Sequence, residues 1–199
     1  MDQGLNSQQL DAAFRVLNGL LVRSGAPTVH LVVCGGAALI AAGLIARTTR
    51  DVDIVALLED GRLASPSPLP PHLLRAAQQT AEALRLPKDW LNNAPSRDEG
   101  GLFQMGLPEG LQERLLPRNY GACLTAHFIG RLDQIHFKLY AAVDRGGYHT
   151  ADLLALDPTE TEVAQAARWT LGQDVSQEFR QLLRHLLGAL GHDGIAATI

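Results

Sequence analysis

Between residues 32 and 55 the chain carries two features that can do chemistry together, the pair Gly35-Gly36 and the triplet Asp51-Val52-Asp53. The apolar run from His30 to Cys34 predicts a buried strand, the glycines a sharp turn, and Ala37 to Ile45 a helix of small residues packed back on a sheet. Val52 to Leu58 predicts the next strand. Side chains alternate along a strand, so Asp51 and Asp53 share one face while Val52 and Ile54 enter the core. Two carboxylates on one face suit a hard cation. Mg²⁺ (or Mn²⁺) takes oxygen ligands and is commonly held by one or two carboxylates together with substrate phosphates. Glycine lets the backbone approach a phosphate, and N–H groups at the start of the following helix favour an anion. The stretch therefore predicts a site for a metal-bound nucleoside triphosphate. The competing reading is a glycine turn that serves packing beside a solvated strand edge. A P-loop is excluded because no Lys-Ser or Lys-Thr follows the glycines, and the spacing is not that of a dinucleotide fingerprint.

Other elements must position this stretch. Ser7 can cap a helix in which Leu10, Phe14, Leu17 and Leu21 recur at helical spacing, ended by Gly25-Ala26-Pro27. Gly61 to Pro71, with Ser65-Pro-Ser-Pro-Leu-Pro-Pro, reads as a stiff connection that cannot pair in a sheet. Leu73 to Leu84 reads as an amphipathic helix. Pro87 to Gly110 has few periodic signals and can border a cleft, with Trp90 as a packed aromatic and Asn92 as a candidate there. Ala122 to Ile129 predicts a further strand. Beyond it the chain reads as helical. Asp133 can cap a helix with an Ile135, Leu139, Ala142 stripe, on which Lys138 and Arg145, seven residues apart, project from nearly the same side and can face one anion. Arg145 can instead pair with Asp152. His149 can be oriented by Asp152, or simply open a helix, while His127 and His136 read as core or surface residues. Thr159 with Glu162 is a capping box, and Ser176 opens a last helix with Phe179, Leu182, Leu183, Leu186 and Leu187 on its apolar side. We expect an α/β core with an N-terminal helix over residues 1–130 and a helical part over 131–199.

Two blocks of sequence resemble a known family. Gly-Gly-x-Ala-Leu followed by Arg47-x-Thr49-x-Asp51-Val-Asp53-Ile is similar to the nucleotidyltransferase-like proteins of the AbiEii toxin group, in the DNA polymerase beta-like nucleotidyltransferase superfamily. The second block, Lys138-Leu-Tyr-Ala141 with Arg145, then Asp152-Leu153, matches a later helix and the segment after it in that group. The resemblance covers residues 28 to 170. It implies an α+β fold with a mixed sheet flanked by helices, Gly35 and Gly36 beside the triphosphate, Asp51 and Asp53 on Mg²⁺, and Lys138 near phosphate. By the same kinship Arg47, Thr49 and Arg145 belong to the nucleotide site, and Lys138 and Asp152 join the two metal-holding aspartates as catalytic residues. Two departures stand out. Tyr148-His149 replaces a common Lys-Asp, and the strand 122–129 offers Thr125 and His127 where many superfamily members place a third carboxylate.

The expected function is Mg²⁺-dependent transfer of a nucleotidyl group from a nucleoside triphosphate to an acceptor hydroxyl on RNA, protein or a small molecule. The alternative is a catalytically weakened nucleotide-binding or interaction module within a toxin–antitoxin pair, with a small antitoxin or regulator as partner. A metal phosphatase or nuclease using Asp51, Asp53 and His149 ranks third. The net charge of −4 argues against broad electrostatic binding of nucleic acid. Cys34 and Cys123 lie in apolar runs, as buried thiols of a reducing compartment do. With no signal segment and no membrane span in the sequence, a cytoplasmic protein is expected.

Overall fold

Asn6 opens the first helix, one residue before the Ser7 cap expected from sequence. Its side chain accepts from the Gln9 backbone N–H while the Gln9 side chain accepts from the Asn6 backbone N–H, so two end groups are satisfied reciprocally. These details come from a computed structural model, which describes residues 4–97 and 100–199. The chain divides into two compact units, residues 1–130 and 131–199.

The first unit is an α+β structure on a six-stranded mixed sheet. Helix α1 (Ser7–Arg23) leads to β1 (Val29–Cys34), the short α2 (Gly35–Ala41) and β2 (Val52–Glu59). A tight turn at Asp60-Gly61, both with positive φ, returns the chain as β3 (Arg62–Ala64). Residues 62–64 thus pair with β2, where the sequence reads an unpaired connection; only the proline-rich part after them is a loop. Then come α3 (Pro71–Leu84), β4 (Leu91–Asn92), a short 3₁₀ turn over 94–96, α4 (Leu102–Met105), β5 (Leu116–Gly121) and β6 (Leu124–Phe128). The strand order is β3-β2-β1-β6-β5, with β4 also pairing β2. β1 runs antiparallel to β2 and parallel to β6, and β5 is an edge strand that carries Pro117.

One sheet face holds the core. Leu31, Val33, Ile54, Leu124 and Ala126 are fully buried there, and Phe14 of α1 packs edge-on to Phe128 with ring centroids 6.2 Å apart. Phe14 also meets Tyr120 at 4.8 Å and Trp90 at 6.3 Å, and the Trp90 indole N–H donates to the Ala77 carbonyl of α3. Trp90 is therefore the packed aromatic its size suggests. Asp53 pairs in register with Cys34 and so faces away from this core. Helix α2 stops at Ala41 rather than Ile45 because Gly43 turns the chain at φ 69°.

The second unit is helical: α5 (Arg131–Arg145), α6 (Tyr148–Ala155), α7 (Glu160–Gln173), α8 (Gln177–Ala189) and α9 (Asp193–Ala196). Asp133 lies fully buried within the first turn of α5. Trp169 of α7 packs against Phe137 and His136, with Tyr140 bridging to Phe179 of α8. The capping box at Thr159 and Glu162 forms, and Ser176 caps α8, whose Leu182 points to solvent instead of joining Phe179, Leu183 and Leu187. Arg131 reaches the Leu156 and Asp157 carbonyls and the Glu162 carboxylate, fastening the turn before α7 to the start of α5. Among the described residues no helix is long and apolar enough to cross a membrane.

Two outcomes follow. Phe14→Ala removes the ring on which three aromatic contacts converge and should cost about 3–5 kcal/mol in urea unfolding, against under about 0.5 for Leu182→Ala at an exposed site. The hydrogen bond from Arg131 holds the Glu162 carboxyl below its ordinary value of 4.5. Its contribution is therefore complete above that value and lost as pH falls below it. Glu162→Gln should flatten the acid limb of a stability–pH curve, and an unchanged limb would remove this pair from the account.

Candidate functional site

Gly35 has φ 66°, a left-handed conformation that side chains rarely adopt, and a Cβ placed there would lie 2.8 Å from Asp53 Oδ2. Gly36 is hemmed in from the other side. Its Cβ would meet Thr49 Oγ1 at 2.6 Å, with Arg47 Nη1 at 3.7 Å. The glycine pair is thus required by the protein's own side chains, which crowd the turn at the end of β1. Four of the residues singled out from sequence, Gly35, Gly36, Thr49 and Asp53, meet here, with Arg47 at the margin.

The segment leading into β2 is fixed from several directions. Leu5 and Thr49 exchange two backbone hydrogen bonds, Leu5 N–H to Thr49 O at 2.6 Å and Thr49 N–H to Leu5 O at 3.0 Å. The Thr49 hydroxyl donates to the Asp51 carbonyl at 3.3 Å, and Val52 N–H donates to Trp90 O at 2.6 Å. Val52 and Ile54 are fully buried while Asp51 and Asp53 are half-buried, so the alternation holds through the triplet. Burial pushes the Asp51 carboxyl up from its ordinary value, and the neighbouring Asp89 carboxylate pushes it further, against the opposing pull of Arg50. Arg50 itself pairs with Asp89 at 3.4 Å in solvent.

Sequence reasoning missed both Asp89 and the strand beside Asp53. The run 122–129 became β6, which flanks β1, and its His127 lies opposite Val32. The strand alongside the aspartates is β4, two residues long, with Asn92 in register with Asp53. Asn92 is buried and committed to a turn: its amide donates to Asp89 O and its side-chain oxygen accepts from Ala94 N–H. A strand of two residues leaves no periodic signal. The only hint was the Trp90-Leu91-Asn92 cluster after a helix. His127 instead contacts His30, ring nitrogens 3.2 Å apart, and burial and that neighbour both lower its pKa.

In the helical unit Lys138 and Asp152 form an ion pair at 2.8 Å, with side chains only 5% and 4% exposed. Tyr148 lays its ring near the ammonium, 5.6 Å from centroid to nitrogen, and the His149 ring lies 4.1 Å from its centroid. Arg145 is exposed and pairs with Asp144. The two cations expected to face one anion are therefore separated in environment, because the helix turns Lys138 inward and leaves Arg145 at the solvated C-terminal end. The partner of Asp152 is Lys138, not Arg145.

The donors that Asp51 and Asp53 offer a cation are carboxylate oxygens, which suit Mg²⁺ or Mn²⁺ and not a soft metal. Among the described residues no group of three or more His, Cys, Asp or Glu side chains is gathered to hold a metal. Any cation at Asp51 and Asp53 therefore requires further oxygens from a ligand or water. No protein-family model, curated protein or solved structure matches this chain.

The buried pair gives a direct test. Lys138→Met should destabilise the protein by about 3–5 kcal/mol, since it leaves the Asp152 carboxylate buried and uncompensated. The double variant Lys138→Met/Asp152→Leu should recover most of that loss in urea unfolding. A double variant as unstable as the single one would mean that the pair is not what holds this part of the helical unit.

Proposed function

We propose that the protein binds a nucleoside triphosphate with Mg²⁺ (or Mn²⁺) and transfers its nucleotidyl group to an acceptor hydroxyl. The observation that carries this reading is the lodging of Asp53, near the start of β2, against the backbone of Gly35, with the half-buried Asp51 two residues earlier, just before the strand. The Asp53 carboxylate thus lies at the turn between β1 and α2, and a second carboxylate follows two residues away in the chain.

In this reading Asp51 and Asp53 hold the cation, which when bound neutralises charge on the phosphates. The phosphate oxygens meet the cation, and the Arg47 guanidinium and Thr49 hydroxyl flank the glycine turn. The acceptor oxygen bonds to the α-phosphorus and gives its proton up to solvent as the bond to the bridging oxygen breaks, and pyrophosphate leaves. The acceptor is an RNA, a protein or a small molecule. The family resemblance adds Lys138 and Arg145 as phosphate cations and Asp152 as a catalytic residue. Within the helical unit Lys138 and Asp152 engage each other, so this portion stands on the resemblance. The compartment proposed is the cytoplasm.

A second reading has its own observation. The residue aligned with Asp53 on the flanking strand is Asn92, whose amide is spent on a turn, so no further carboxylate comes from that position. This favours a nucleotide-binding module of weak or no activity, paired with a small antitoxin or regulator. The hydrolase reading gains no such support.

Asp53→Asn should weaken Mg²⁺-dependent triphosphate binding by roughly 100-fold or more in calorimetry, beyond the 10–100-fold typical of losing an outer-shell partner. Asp89→Asn, at an exposed side chain, should change it by only a few fold. Labelled triphosphate incubated with protein, Mg²⁺ and cell extract should show label on an acceptor. Binding without transfer supports the module, and absence of metal-dependent binding in the unaltered protein removes both readings.

A further inference from the structure

The first unit holds a cleft of about 410 Å³ between the first turn of α1 and the segment after α2, lined by Ile40, Ala41, Ile45, Ala46 and Arg47 with Ser7 and Gln8 at its rim. That volume is in the range of small-ligand sites. Its wall is apolar, with Ile40 almost wholly buried, and its rim is polar and exposed. The cleft borders the capping box of α1, in which the Asn6 and Gln9 N–H groups are engaged. Its chemistry is that of a flat, largely apolar body with hydrogen-bonding edges.

The cleft is continuous with the glycine turn through one residue. Arg47 lines the cleft, and its Nη1 lies 3.7 Å from the position of a Cβ on Gly36. From Gly35 to Ala41, α2 spans seven residues. At 1.5 Å per residue that is about 10 Å, the reach of a nucleotide from its phosphates to its base. We infer that this cleft receives the nucleoside part of the triphosphate, with the base against Ile40 and Ile45 and Arg47 between base and phosphates. The inference rests on the proposed triphosphate site and adds to it where the rest of the nucleotide lies.

Calorimetry in Mg²⁺ with each of the four ribonucleoside triphosphates and with inorganic tripolyphosphate tests it. The unaltered protein should bind at least one nucleoside triphosphate 10-fold or more tighter than tripolyphosphate. Ala46→Trp, which fills the cleft from an exposed position, and Ile45→Thr, which weakens its wall, should erase that preference while tripolyphosphate affinity stays within two-fold. Retained tripolyphosphate binding is itself the evidence that each variant is folded. Equal binding of tripolyphosphate and every nucleotide by the unaltered protein overturns the inference but leaves the metal–phosphate site standing. Variants that keep the nucleotide preference and lose only transfer assign the cleft to the acceptor, and also overturn it. Binding of neither probe removes the proposed function, and this inference with it.

Discussion

A carboxylate of β2 occupies the space that any side chain at position 35 would need. Asp53 Oδ2 lies 2.8 Å from where a Cβ on Gly35 would sit, and Thr49 Oγ1 lies 2.6 Å from where one on Gly36 would sit. This crowding fixes how β1 meets β2 at the site end of the sheet, where Cys34 and Asp53 are in register. It also decides which face the carboxylates take. A slip of one residue would turn Asp51 and Asp53 into the Phe14 core and expose Val52 and Ile54, a change that both electrostatics and burial oppose. The glycines, the acids and the core are three expressions of one packing arrangement.

The helical unit solves a different problem. Lys138 and Asp152 are withdrawn from water together, and an ion pair at that depth gains stability only through close geometry and mutual compensation. Tyr148 contributes the face of its ring to the ammonium. Such a pair specifies how α5 and α6 meet more than it adds to stability, because an apolar pair of similar volume would pack there at comparable free energy. The contrast with Arg145, two helical turns further along α5 but solvated beside Asp144, shows how little a shared helix face says about a shared environment.

What the sequence made legible follows from periodicity. Leu10, Phe14, Leu17 and Leu21 announce α1, and all four are fully buried; the alternation Asp51-Val52-Asp53-Ile54 announces β2 and its two faces. The capping boxes announce helix starts because their spacing is fixed by hydrogen bonding within four residues. Illegible were elements whose stability is wholly tertiary. β3 and β4 are three and two residues long and exist only because β2 offers them backbone partners. β5 was silent for a related reason, since Leu116, Pro117 and Asn119 are exposed and show no apolar alternation. At the site, the acids and glycines were readable because residue type carries the chemistry. Asp89 was not, since its approach to Asp51 depends on the β4 pairing that brings residues 89–92 alongside β2.

Those same short and interrupted strands govern how the molecule meets copies of itself. The outer side of β2 is shared between β3 and β4, neither long enough to template another chain, and the opposite rim, β5, contains Pro117, which has no N–H to offer. Open sheet rims are the usual route by which β-containing proteins join edge to edge into aggregates. Here the short strands β3 and β4 on one rim and Pro117 on the other make both rims poor hosts for a foreign strand, a restraint on indiscriminate backbone pairing that is built into the sheet itself.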